Sequence, residues 1–465
     1  MIGSMQNRID WIPDIKASGV PRYVAIADAI AKDIADGRLS PGDRLPPQRH
    51  LAGRLNVDFT TIARAYVEAQ TRGLVRSTVG RGTFIAVPAA TPASAQHEAM
   101  VDFSMNLPPE PDDPDLIGRM QRGYAEIGRD IIDLLRYQSF GGSPEAKRVA
   151  CVWLERRGLA PAQERIFITS GAHAALFSLF SILAKPGATI LTEAITYPGA
   201  RSIAAQLGLK LRGLKMDEQG IDPDVLATAC EESRPAALYL NPTLQNPTTI
   251  TVPDSRRQAI AAVARRFGLP IIEDDAYGFI PSRPPVPLAA LAPDLTWHIA
   301  GLSKCLGAGL RCAYVVAPDA RSAWPFITSS RALTVMASPL TVALTTRWIE
   351  DGTGDSILGF LRKEAAARQA IAREVLAAYE FRSDPSGFNL WLSLPAPWTR
   401  SAFGGQMQSK AIGIVPSDAF VVAGSPPEAV RVCLGGPSKR HEVRAVLEFM
   451  AHILAESPAL ASNYL

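Results

Sequence analysis

The sequence is poor in cysteine and has no long apolar run, and both shortages exclude classes of protein. Its five cysteines are scattered, without a Cys-x-x-Cys pair or a histidine at metal-ligand spacing (Cys151, Cys230, Cys305, Cys312 and Cys433). This pattern predicts reduced thiols and no bound metal, not a disulfide framework or a zinc site. No segment approaches the roughly 20 consecutive apolar residues of a membrane helix, and the N-terminal residues lack the apolar stretch of a secretory signal. We therefore expect a soluble, cytoplasmic protein.

Charge and apolar content are ordinary, apart from a basic bias near the N-terminus. Hydrophobic residues make up 47% and charged residues 20% of the 465 residues, which excludes disordered and fibrous classes. The length predicts two or three domains. The net charge is +3, but residues 20–88 alone carry ten lysines and arginines against six acidic residues. A basic head on a near-neutral body is typical of a nucleic-acid-binding domain joined to another domain, although an ordinary solvated surface can give the same charge.

A run of mostly small residues separates this head from the rest of the chain. Residues 86–99 have no apolar periodicity, so they cannot bury a face and are interpreted as a linker. The sequence therefore predicts four segments: an N-terminal segment over 1–19, a head over 20–86, a linker over 87–100 and a body over 101–465.

The head has the pattern of three helices followed by a hairpin. Isoleucines at every fourth position from Ile26 to Ile34 predict the first helix, and a second is predicted over 47–55. A third helix is predicted from Thr60 to Arg72. Residues 74–79 and 83–85 are strand-like and flank a Gly-Arg-Gly turn. This order predicts a winged helix-turn-helix domain.

Three motifs in the head resemble the DNA-binding domain of the GntR family of bacterial regulators. They are residues 37–52 (GRLSPGDRLPPQRHLA), 60–66 (TTIARAY) and 80–84 (GRGTF). The resemblance implies that the third helix enters a DNA major groove and that the wing tip presents a cation to the backbone or minor groove. It implies DNA contacts at Arg44, Arg49, Thr60, Thr61, Arg64, Arg81 and Gly82.

The head departs from its relatives just before the third helix. Many relatives have Ser-Arg in front of the paired threonines, whereas this chain has Asp58 and Phe59. Asp58 or Thr60 is a suitable cap for the third helix. An acidic group close to the groove also repels phosphate, so the resemblance leaves the individual base contacts undefined.

Short apolar runs alternate with amphipathic segments in the body. Six runs have the composition of buried strands: 166–169, 189–192, 237–240, 271–273, 298–300 and 313–316. Segments between them, such as residues 255–267, have a helical pattern. This alternation predicts an α/β fold with a mainly parallel sheet. Ligands in such sheets bind at the carboxyl ends of the strands, and reactive side chains follow several of these runs.

Four motifs at these strand ends together provide the groups that a single cofactor requires. Residues 170–173 (SGAH) open a helix, whose free N–H groups suit a phosphate. Residues 241–248 (NPTLQNPT) and 273–277 (EDDAY) add amides and acids, and residues 303–311 add a lysine and an arginine in a glycine-rich loop. Pyridoxal 5′-phosphate (PLP) requires a lysine for a Schiff base, an acid for its ring nitrogen, and amides plus a cation for its phosphate. The body is therefore predicted to bind PLP.

The order and spacing of these motifs resemble the fold type I aminotransferases, which are PLP-dependent transferases, over residues 100–460. The resemblance implies that Lys304 is the catalytic residue and forms the internal aldimine, the Schiff base with the cofactor. It implies that Asp274 holds the pyridinium proton. It also implies that Tyr277 and Asn246 donate hydrogen bonds to the ring hydroxyl.

The same resemblance assigns the stacking, phosphate, subunit and substrate contacts. Tyr197 matches the aromatic residue that stacks on the ring, and the phosphate contacts are Gly171, Ala172, His173, Ser303 and Arg311. His173 contributes through its backbone amide alone or through its ring as well. Tyr137 matches a tyrosine that reaches the neighbouring subunit's phosphate, which implies a homodimer. Arg431 matches the arginine that binds a substrate carboxylate, although a strand arginine near the C-terminus is also commonly a surface ion-pair partner.

A GntR-like head, a linker and an aminotransferase-like body together resemble the MocR subfamily of transcriptional regulators. This implies a PLP-dependent regulator that binds double-stranded promoter DNA and senses PLP itself or a small amino compound with a carboxylate or sulfonate. It also implies a large part of the body over about 145–345 and a small part from 101–144 and 346–465. Two alternatives remain open: a working aminotransferase with an accessory head, and a DNA-binding protein with an inert body.

Overall fold

Two compact units, Met1–Ala99 and Met100–Leu465, make up the computed structural model of the chain. The structure describes residues 11–15, 21–39, 42–72, 74–78, 82–85, 101–456 and 458. The proposed linker and Arg81 of the wing tip lie outside these described residues. None of the described helices is long and apolar enough to cross a membrane.

The first unit folds as three helices and a hairpin, as its sequence predicts. Its elements are α1 (Arg22–Ala35), α2 (Gln48–Leu55), α3 (Phe59–Thr71), β1 (Val75–Thr78) and β2 (Gly82–Ile85). The two strands pair antiparallel, with Val75 opposite Ile85. The isoleucine stripe of α1 faces inward, where Ile26 packs in one core with Leu51 of α2 and Ile62 of α3. Burial of these apolar side chains holds the three helices together.

Asp58 sets the start of α3. Its carboxylate accepts hydrogen bonds from the Thr60 backbone N–H, at 2.7 Å, and from the Thr60 hydroxyl, at 2.5 Å. Of the two caps that the sequence allows, Asp58 is therefore the one used, and the helix begins at Phe59, one residue before the predicted start. The hydroxyl and the amide of Thr60 lower the pKa of Asp58.

The second unit contains the remaining helices and strands. Its α-helices are α4 (Pro114–Ile127), α5 (Ile131–Leu134), α6 (Pro144–Glu155), α7 (Ala172–Leu183), α8 (Pro198–Gln206), α9 (Pro223–Ser233), α10 (Asp254–Phe267), α11 (Leu288–Leu291), α12 (Ala323–Thr334), α13 (Pro339–Glu350), α14 (Thr353–Val375), α15 (Arg400–Ser409) and α16 (Arg440–Ala455). Its strands are β3 (Val101–Asp102), β4 (Ile166–Thr169), β5 (Thr189–Glu193), β6 (Lys210–Leu214), β7 (Met216–Asp217), β8 (Gly220–Ile221), β9 (Ala237–Leu240), β10 (Ile271–Asp274), β11 (Thr296–Gly301), β12 (Ala313–Val316), β13 (Phe381–Ser383), β14 (Asn389–Ser393), β15 (Ile412–Gly413), β16 (Val415–Pro416) and β17 (Ala429–Cys433). Short 3-10 helices cover Gly128–Asp130, Gln163–Arg165, Ala308–Leu310 and Ser417–Ala419.

A seven-stranded sheet in the order β4-β12-β11-β10-β9-β5-β6 forms the centre of this unit. β12 runs antiparallel to both of its neighbours, and the other neighbouring pairs are parallel, so the expectation of a mainly parallel sheet is confirmed. Every residue of β4, β9, β10, β11 and β12 is buried. Burial on both faces explains the continuous apolar runs in β4, β9 and β12, whereas β10 and β11 also contain buried polar residues.

A smaller four-stranded sheet in the order β13-β14-β17-β16 includes β17, the strand that carries Arg431. Its strands are antiparallel, and Arg431 of β17 lies opposite Trp391 and Val415 on the flanking strands. β3, the first described strand of this unit, pairs in parallel with β15 beside this sheet. The backbone N–H of Cys433 donates to the Phe103 carbonyl at 2.9 Å, which ties the segment after β3 to β17.

Candidate functional site

The carboxyl ends of parallel strands meet at one edge of the large sheet. β9 ends before Asn241, β10 ends on Asp274 and β11 ends on Gly301. β12 runs the other way, so its first residue lies opposite Gly301 and brings Arg311 to the same edge. A cavity of about 130 Å³ at this edge is lined by Ala172, His173, Leu176, Tyr197, Asn241, Asn246, Asp274, Ala276, Tyr277, Gly301, Ser303, Lys304 and Arg311. All the residues that the sequence assigns to the cofactor line this cavity, except Gly171 and Tyr137.

Lys304 contributes a partly buried amine to the cavity. Its Nζ donates a hydrogen bond to the backbone carbonyl of Asn106 and lies 5.9 Å from the centroid of the Tyr277 ring. Burial lowers the pKa of Lys304 to about 8, with contributions from the positive charges of Arg431 and Arg311. The lower pKa increases the neutral fraction of the amine, which is the form that attacks a carbonyl carbon.

Asp274 presents a buried carboxylate with one unused oxygen. Its Oδ2 accepts a hydrogen bond from the Tyr239 hydroxyl at 3.0 Å, whereas its Oδ1 has no partner among the described residues. Burial raises the pKa of Asp274 to about 6, because a charged carboxylate is poorly solvated there. An unsatisfied buried oxygen is costly, so Oδ1 is suited to a ligand that donates a hydrogen bond.

The other end of the cavity offers groups for an anion. Gly171 precedes α7 with a φ of 95°, a conformation that favours glycine, and the first N–H groups of α7 follow it. A Cβ atom on Gly171 would lie 3.4 Å from a terminal guanidinium nitrogen of Arg311, which shows how close the cation is to the helix start. Ser303 adds a hydroxyl to the same lining. A helix N-terminus, a guanidinium and a hydroxyl form a site suited to phosphate.

Arg431 of the smaller sheet is buried and contacts Asn246, which lines the cavity, but Arg431 is not itself a lining residue. One terminal nitrogen donates to Asn246 Oδ1 at 2.7 Å, and the other donates to the Ser104 carbonyl. The guanidinium carbon lies 5.0 Å from the centroid of the Phe420 ring, and Nε has no partner among the described residues. The side chain forms no ion pair within the described part of the chain, so the alternative of a surface ion-pair residue does not describe it. An orphaned donor on a buried guanidinium is suited to an anionic group.

The two tyrosines outside the sheet edge have different positions. Tyr197 lines the cavity, and its ring meets the His173 ring edge-on, with centroids 6.4 Å apart. Tyr137 is 82% exposed and is surrounded in sequence by other exposed apolar side chains, namely Ile132, Leu135 and Phe140. The single chain therefore does not bring Tyr137 into the cavity.

Buried cations compensate the charges of Glu273 and Asp275, the two acidic residues next to Asp274. Arg157 Nε donates to Asp275 at 2.6 Å, and Arg257 lies 3.4 Å from Glu273, which also contacts His298 at 2.9 Å. Burial opposes ionisation of Asp275, but the charges of Arg157, His298 and Arg257 outweigh it and lower its pKa to about 2. Of the three acidic residues in the motif, Asp274 alone keeps an oxygen without a partner among the described residues.

Several site residues were not assigned from the sequence. Asn241 Nδ2 donates to the Asp274 backbone carbonyl at 2.6 Å, and Asn241 Oδ1 accepts from the Asn246 backbone N–H at 2.9 Å. Its position directly after β9, the neighbour of β10, is a signal that could have identified it. Asn106 contacts Lys304 across 198 residues of sequence, and no local pattern marks it.

The described DNA contacts proposed for the first unit lie on or next to α2, α3 and β2, where Thr60 is exposed and Arg44, Thr61 and Gly82 are partly buried. Arg49 on α2 and Arg64 on α3 are exposed, and neither forms an ion pair with a carboxylate in the described residues. A cavity of about 340 Å³ is lined by Arg44, Leu45, Pro46, Pro47, Gln48, Arg49, Phe59, Tyr66, Gly82 and Thr83. The structure thus brings Arg44, Arg49 and Gly82 together, and Thr60 and Thr61 lie in the first turn of α3.

The backbone conformation at Gly82 favours glycine, because its φ is +115°. A Cβ atom there would lie 2.8 Å from Arg44 Nε, at the end of a flexible side chain that can move away. The Arg49 guanidinium carbon lies 6.0 Å from the centroid of the exposed Phe59 ring. Arg49 therefore lies beside the aromatic ring at the start of α3, whereas the Arg44 guanidinium carbon lies 6.0 Å from the ring centroid of Phe84 on β2.

Two family models match the chain. The model of aminotransferase class I and II matches residues 98–448, which is most of the chain. The model of bacterial regulatory proteins of the gntR family matches residues 22–85, the winged helix-turn-helix unit. The class I and II aminotransferase fold family is PLP-dependent.

Individual relatives agree with both matches. The chain is 29% identical over 459 residues to the HTH-type transcriptional regulator YdeF of Bacillus subtilis, which covers 97% of this chain and 99% of that protein. It is 29% identical over 383 residues to the vitamin B6 salvage pathway transcriptional repressor PtsJ of Salmonella typhimurium, covering 81% and 86%. The solved structure of the α-aminoadipate aminotransferase LysN of Thermus thermophilus matches with a TM-score of 0.70 and 22% identity, covering 77% of this chain and 92% of that chain. The chain therefore belongs to the aminotransferase class I and II family, and its gntR-family head gives it the arrangement of the MocR regulators.

Proposed function

We propose that this protein is a PLP-dependent, DNA-binding transcriptional regulator whose body senses an amino compound or PLP itself. One observation carries the proposal: a single chain joins a winged helix-turn-helix unit to a second unit in which a lysine and an orphaned aspartate oxygen line one cavity. The relative that spans nearly the whole chain is named a regulator, which favours regulation over turnover as the role of the body.

The residues of the cavity fit PLP. Asp274 Oδ1, buried without a partner among the described residues, would accept a hydrogen bond from a protonated ring nitrogen. The N-terminus of α7 and Arg311 would hold the phosphate, and Lys304 would provide the amine. When bound, PLP supplies an aldehyde that bonds to amines and a ring that withdraws electrons.

The surrounding side chains have separate tasks in this proposal. Asp274, with a pKa of about 6, is mostly ionised at neutral pH and would keep the proton on the ring nitrogen. Tyr277 and Asn246 would donate hydrogen bonds to the ring oxygen, and Tyr197 would stack on the ring. The phosphate contacts are completed by Gly171, Ala172, His173 and Ser303.

Arg431 is the proposed contact for an effector carboxylate or sulfonate. The guanidinium is already held in place by Asn246 and Ser104, and its Nε remains without a partner among the described residues. A planar fork of donors recognises a carboxylate better than a point charge does. The other proposed signal is PLP itself, which is a form of vitamin B6. The name of PtsJ, a vitamin B6 salvage pathway repressor, supports this signal.

Further proposals concern assembly, domain limits and DNA. The exposed apolar residues around Tyr137 support a homodimer in which this tyrosine reaches the partner's phosphate site. We retain the division into residues 1–19, 20–86, 87–100 and 101–465, with a large part of the body over about 145–345. The proposed DNA contacts are Arg44, Arg49, Thr60, Thr61, Arg64, Arg81 and Gly82.

Borohydride labelling tests the cofactor half of the proposal. Full-length protein incubated with PLP and then reduced is expected to carry a pyridoxyl label on Lys304, and Lys304→Ala is expected to carry none while keeping its circular dichroism spectrum. Lys185→Ala, which changes an exposed lysine, is the matched control and keeps the label. A label of normal yield on Lys304→Ala would remove this residue from its role.

Selection from a random-sequence DNA pool, followed by affinity measurement at fixed salt, tests the DNA half. Arg49→Ala and Arg64→Ala are each expected to weaken binding by about 1–3 kcal/mol if they lose a bidentate base contact. Arg22→Ala removes the same charge from α1 and serves as the control. Unchanged affinity for both Arg49→Ala and Arg64→Ala contradicts the assignment of this surface to DNA.

A further inference from the structure

Asn106 is a buried polar residue that contacts two members of the cavity. It is 6% exposed, and it lies in the segment that follows β3. Its side-chain Nδ2 donates to the Tyr277 hydroxyl oxygen at 2.9 Å, and its backbone carbonyl accepts from Lys304 Nζ. The residue thus touches both the amine and the phenol that face the cavity.

Neighbouring residues fix the direction of the Asn106 amide. The Pro247 carbonyl can only accept a hydrogen bond, so the Asn389 atom that lies 3.2 Å from it must be the nitrogen. The other end of that amide, Asn389 Oδ1, is then an acceptor and faces the Asn106 nitrogen at 3.3 Å. An inverted Asn106 would place two oxygens against each other, so its nitrogen, a pure donor, must face Tyr277.

The direction of that amide determines where the Tyr277 proton goes. Since the Asn106 nitrogen only donates, the Tyr277 oxygen accepts there, and its own O–H must point to a different acceptor. Burial raises the pKa of Tyr277 well above its usual value, so the proton is retained at neutral pH. Tyr277 lines the cavity together with Asn246, Asp274 and Lys304.

We infer that Asn106 is a positioning residue that makes the Tyr277 hydroxyl donate to the ring oxygen of bound PLP. The inference rests on the proposed binding of PLP and adds a residue to its site. A hydrogen bond from Tyr277 stabilises negative charge on the ring oxygen. When this hydrogen bond weakens, the ring oxygen becomes more basic. The ring oxygen then holds more firmly the proton that it shares with the nitrogen of Lys304. The pH at which that proton is lost then rises.

A pH titration of the visible absorbance of PLP-loaded, full-length protein tests the inference. In Asn106→Ala, the titration midpoint is expected to rise by about 0.4–1 pH unit, which corresponds to the loss of one ordinary hydrogen bond. Asn389→Ala, which leaves the amide of Asn106 without its orienting acceptor, is expected to shift the midpoint in the same direction by less. This second variant carries the test if Asn106→Ala does not load with PLP.

The double variant separates positioning from a structural effect. Tyr277→Phe removes the hydroxyl itself, so adding Asn106→Ala to Tyr277→Phe is expected to cause no further shift. Additive shifts, or a midpoint in Asn106→Ala equal to that of the parent, overturn the inference while leaving PLP binding intact. A parent protein that gains no visible absorbance with PLP overturns the proposed function and the inference with it.

Discussion

The surroundings of Lys304 increase the neutral fraction of its amine. Burial and two nearby arginines lower its pKa to about 8. At pH 7 this leaves roughly a tenth of the amine neutral, against below ~0.1% for an exposed lysine. Only the neutral amine attacks an aldehyde, so the lowered pKa of Lys304 would favour the proposed reaction with PLP at physiological pH.

The rate of PLP capture is therefore expected to depend on pH with a midpoint near the pKa of Lys304, about 8. Below that pH the neutral amine falls about tenfold per pH unit, and the rate falls with it, whereas above it the rate levels off. Stopped-flow absorbance of the apo protein mixed with PLP measures this dependence. N-acetyl-lysine methylamide is the reference, and its rate continues to rise to about pH 10. A protein profile that follows this reference would show that Lys304 has an ordinary pKa.

A substitution at Arg431 distinguishes between the two proposed signals, an amino compound and PLP itself. Arg431→Lys keeps the charge but loses the paired, coplanar donors, so binding of an amino acid effector is expected to weaken by about 10–100-fold. PLP absorbance and basal DNA affinity are expected to change little. The measurement is the effector-induced spectral change, with Arg444→Lys on the exposed face of α16 as the control.

Two outcomes for Arg431→Lys have different meanings. A normal response of this variant to an amino acid would discard Arg431 as the anchor. Loss of PLP absorbance would assign the residue to the structure of the site, since it also holds Asn246 and the Ser104 carbonyl.

At the scale of elements, α3 combines an N-terminal cap with the surface proposed to face a DNA groove. Asp58 caps the helix by accepting from Thr60, yet it also places a negative charge at the end of the helix proposed to enter DNA. Asp58→Ser is expected to keep the cap and to raise DNA affinity, because it removes repulsion of phosphate. Asp58→Ala removes charge and cap together, so the α3 amides are expected to exchange several-fold faster.

Amide hydrogen exchange and DNA titration in the full-length chain measure these two effects separately. The gain in affinity for Asp58→Ser is expected to shrink as salt increases. An affinity for Asp58→Ser that equals the parent's at low salt would place Asp58 away from the DNA backbone.

Strands of the large sheet could be predicted where burial on both faces produces a continuous apolar run. β4, β9 and β12 have the predicted limits, and β10 ends one residue later, on Asp274. β6 escaped prediction because it is an edge strand with partly exposed residues. β11 begins two residues earlier than predicted because it includes the polar residue Thr296, which is buried with its hydroxyl donating to the Leu288 carbonyl.

The candidate site was predictable only where its residues follow strands or belong to motifs. Lys304 and Asp274 lie at or just after strand ends. Parallel pairing brings these ends to one edge of the sheet, regardless of the conformation of the connecting loops. Asn106 and Ser104 come from the segment after β3, and their positions depend on how that segment packs against β17 and the cavity. No local periodicity encodes such long-range packing. The sequence also could not choose between a buried and a surface position for Arg431.

At the scale of the whole molecule, regulation of DNA binding by an effector requires energetic coupling between the two units. An effector can change DNA affinity only if it binds one state of the protein more tightly than another, and the DNA must then alter effector affinity by the same factor. Typical coupling free energies of 1–3 kcal/mol correspond to about 5–150-fold changes. Ser104 and Asn106 lie shortly after the proposed linker. The Asn106 carbonyl accepts a hydrogen bond from Lys304, and the Ser104 carbonyl accepts one from Arg431.

The most direct test of the central claim is the DNA affinity of the full-length chain, at one salt concentration, with and without PLP and amino compounds. The DNA is the sequence obtained by selection, and Lys304→Ala is measured beside the parent. Ligand is expected to change the DNA affinity of the parent by about 5–150-fold and to leave the DNA affinity of Lys304→Ala unchanged. Steady transamination by the parent, with a DNA affinity that is the same in every ligand state, would contradict the account and identify the body as an enzyme.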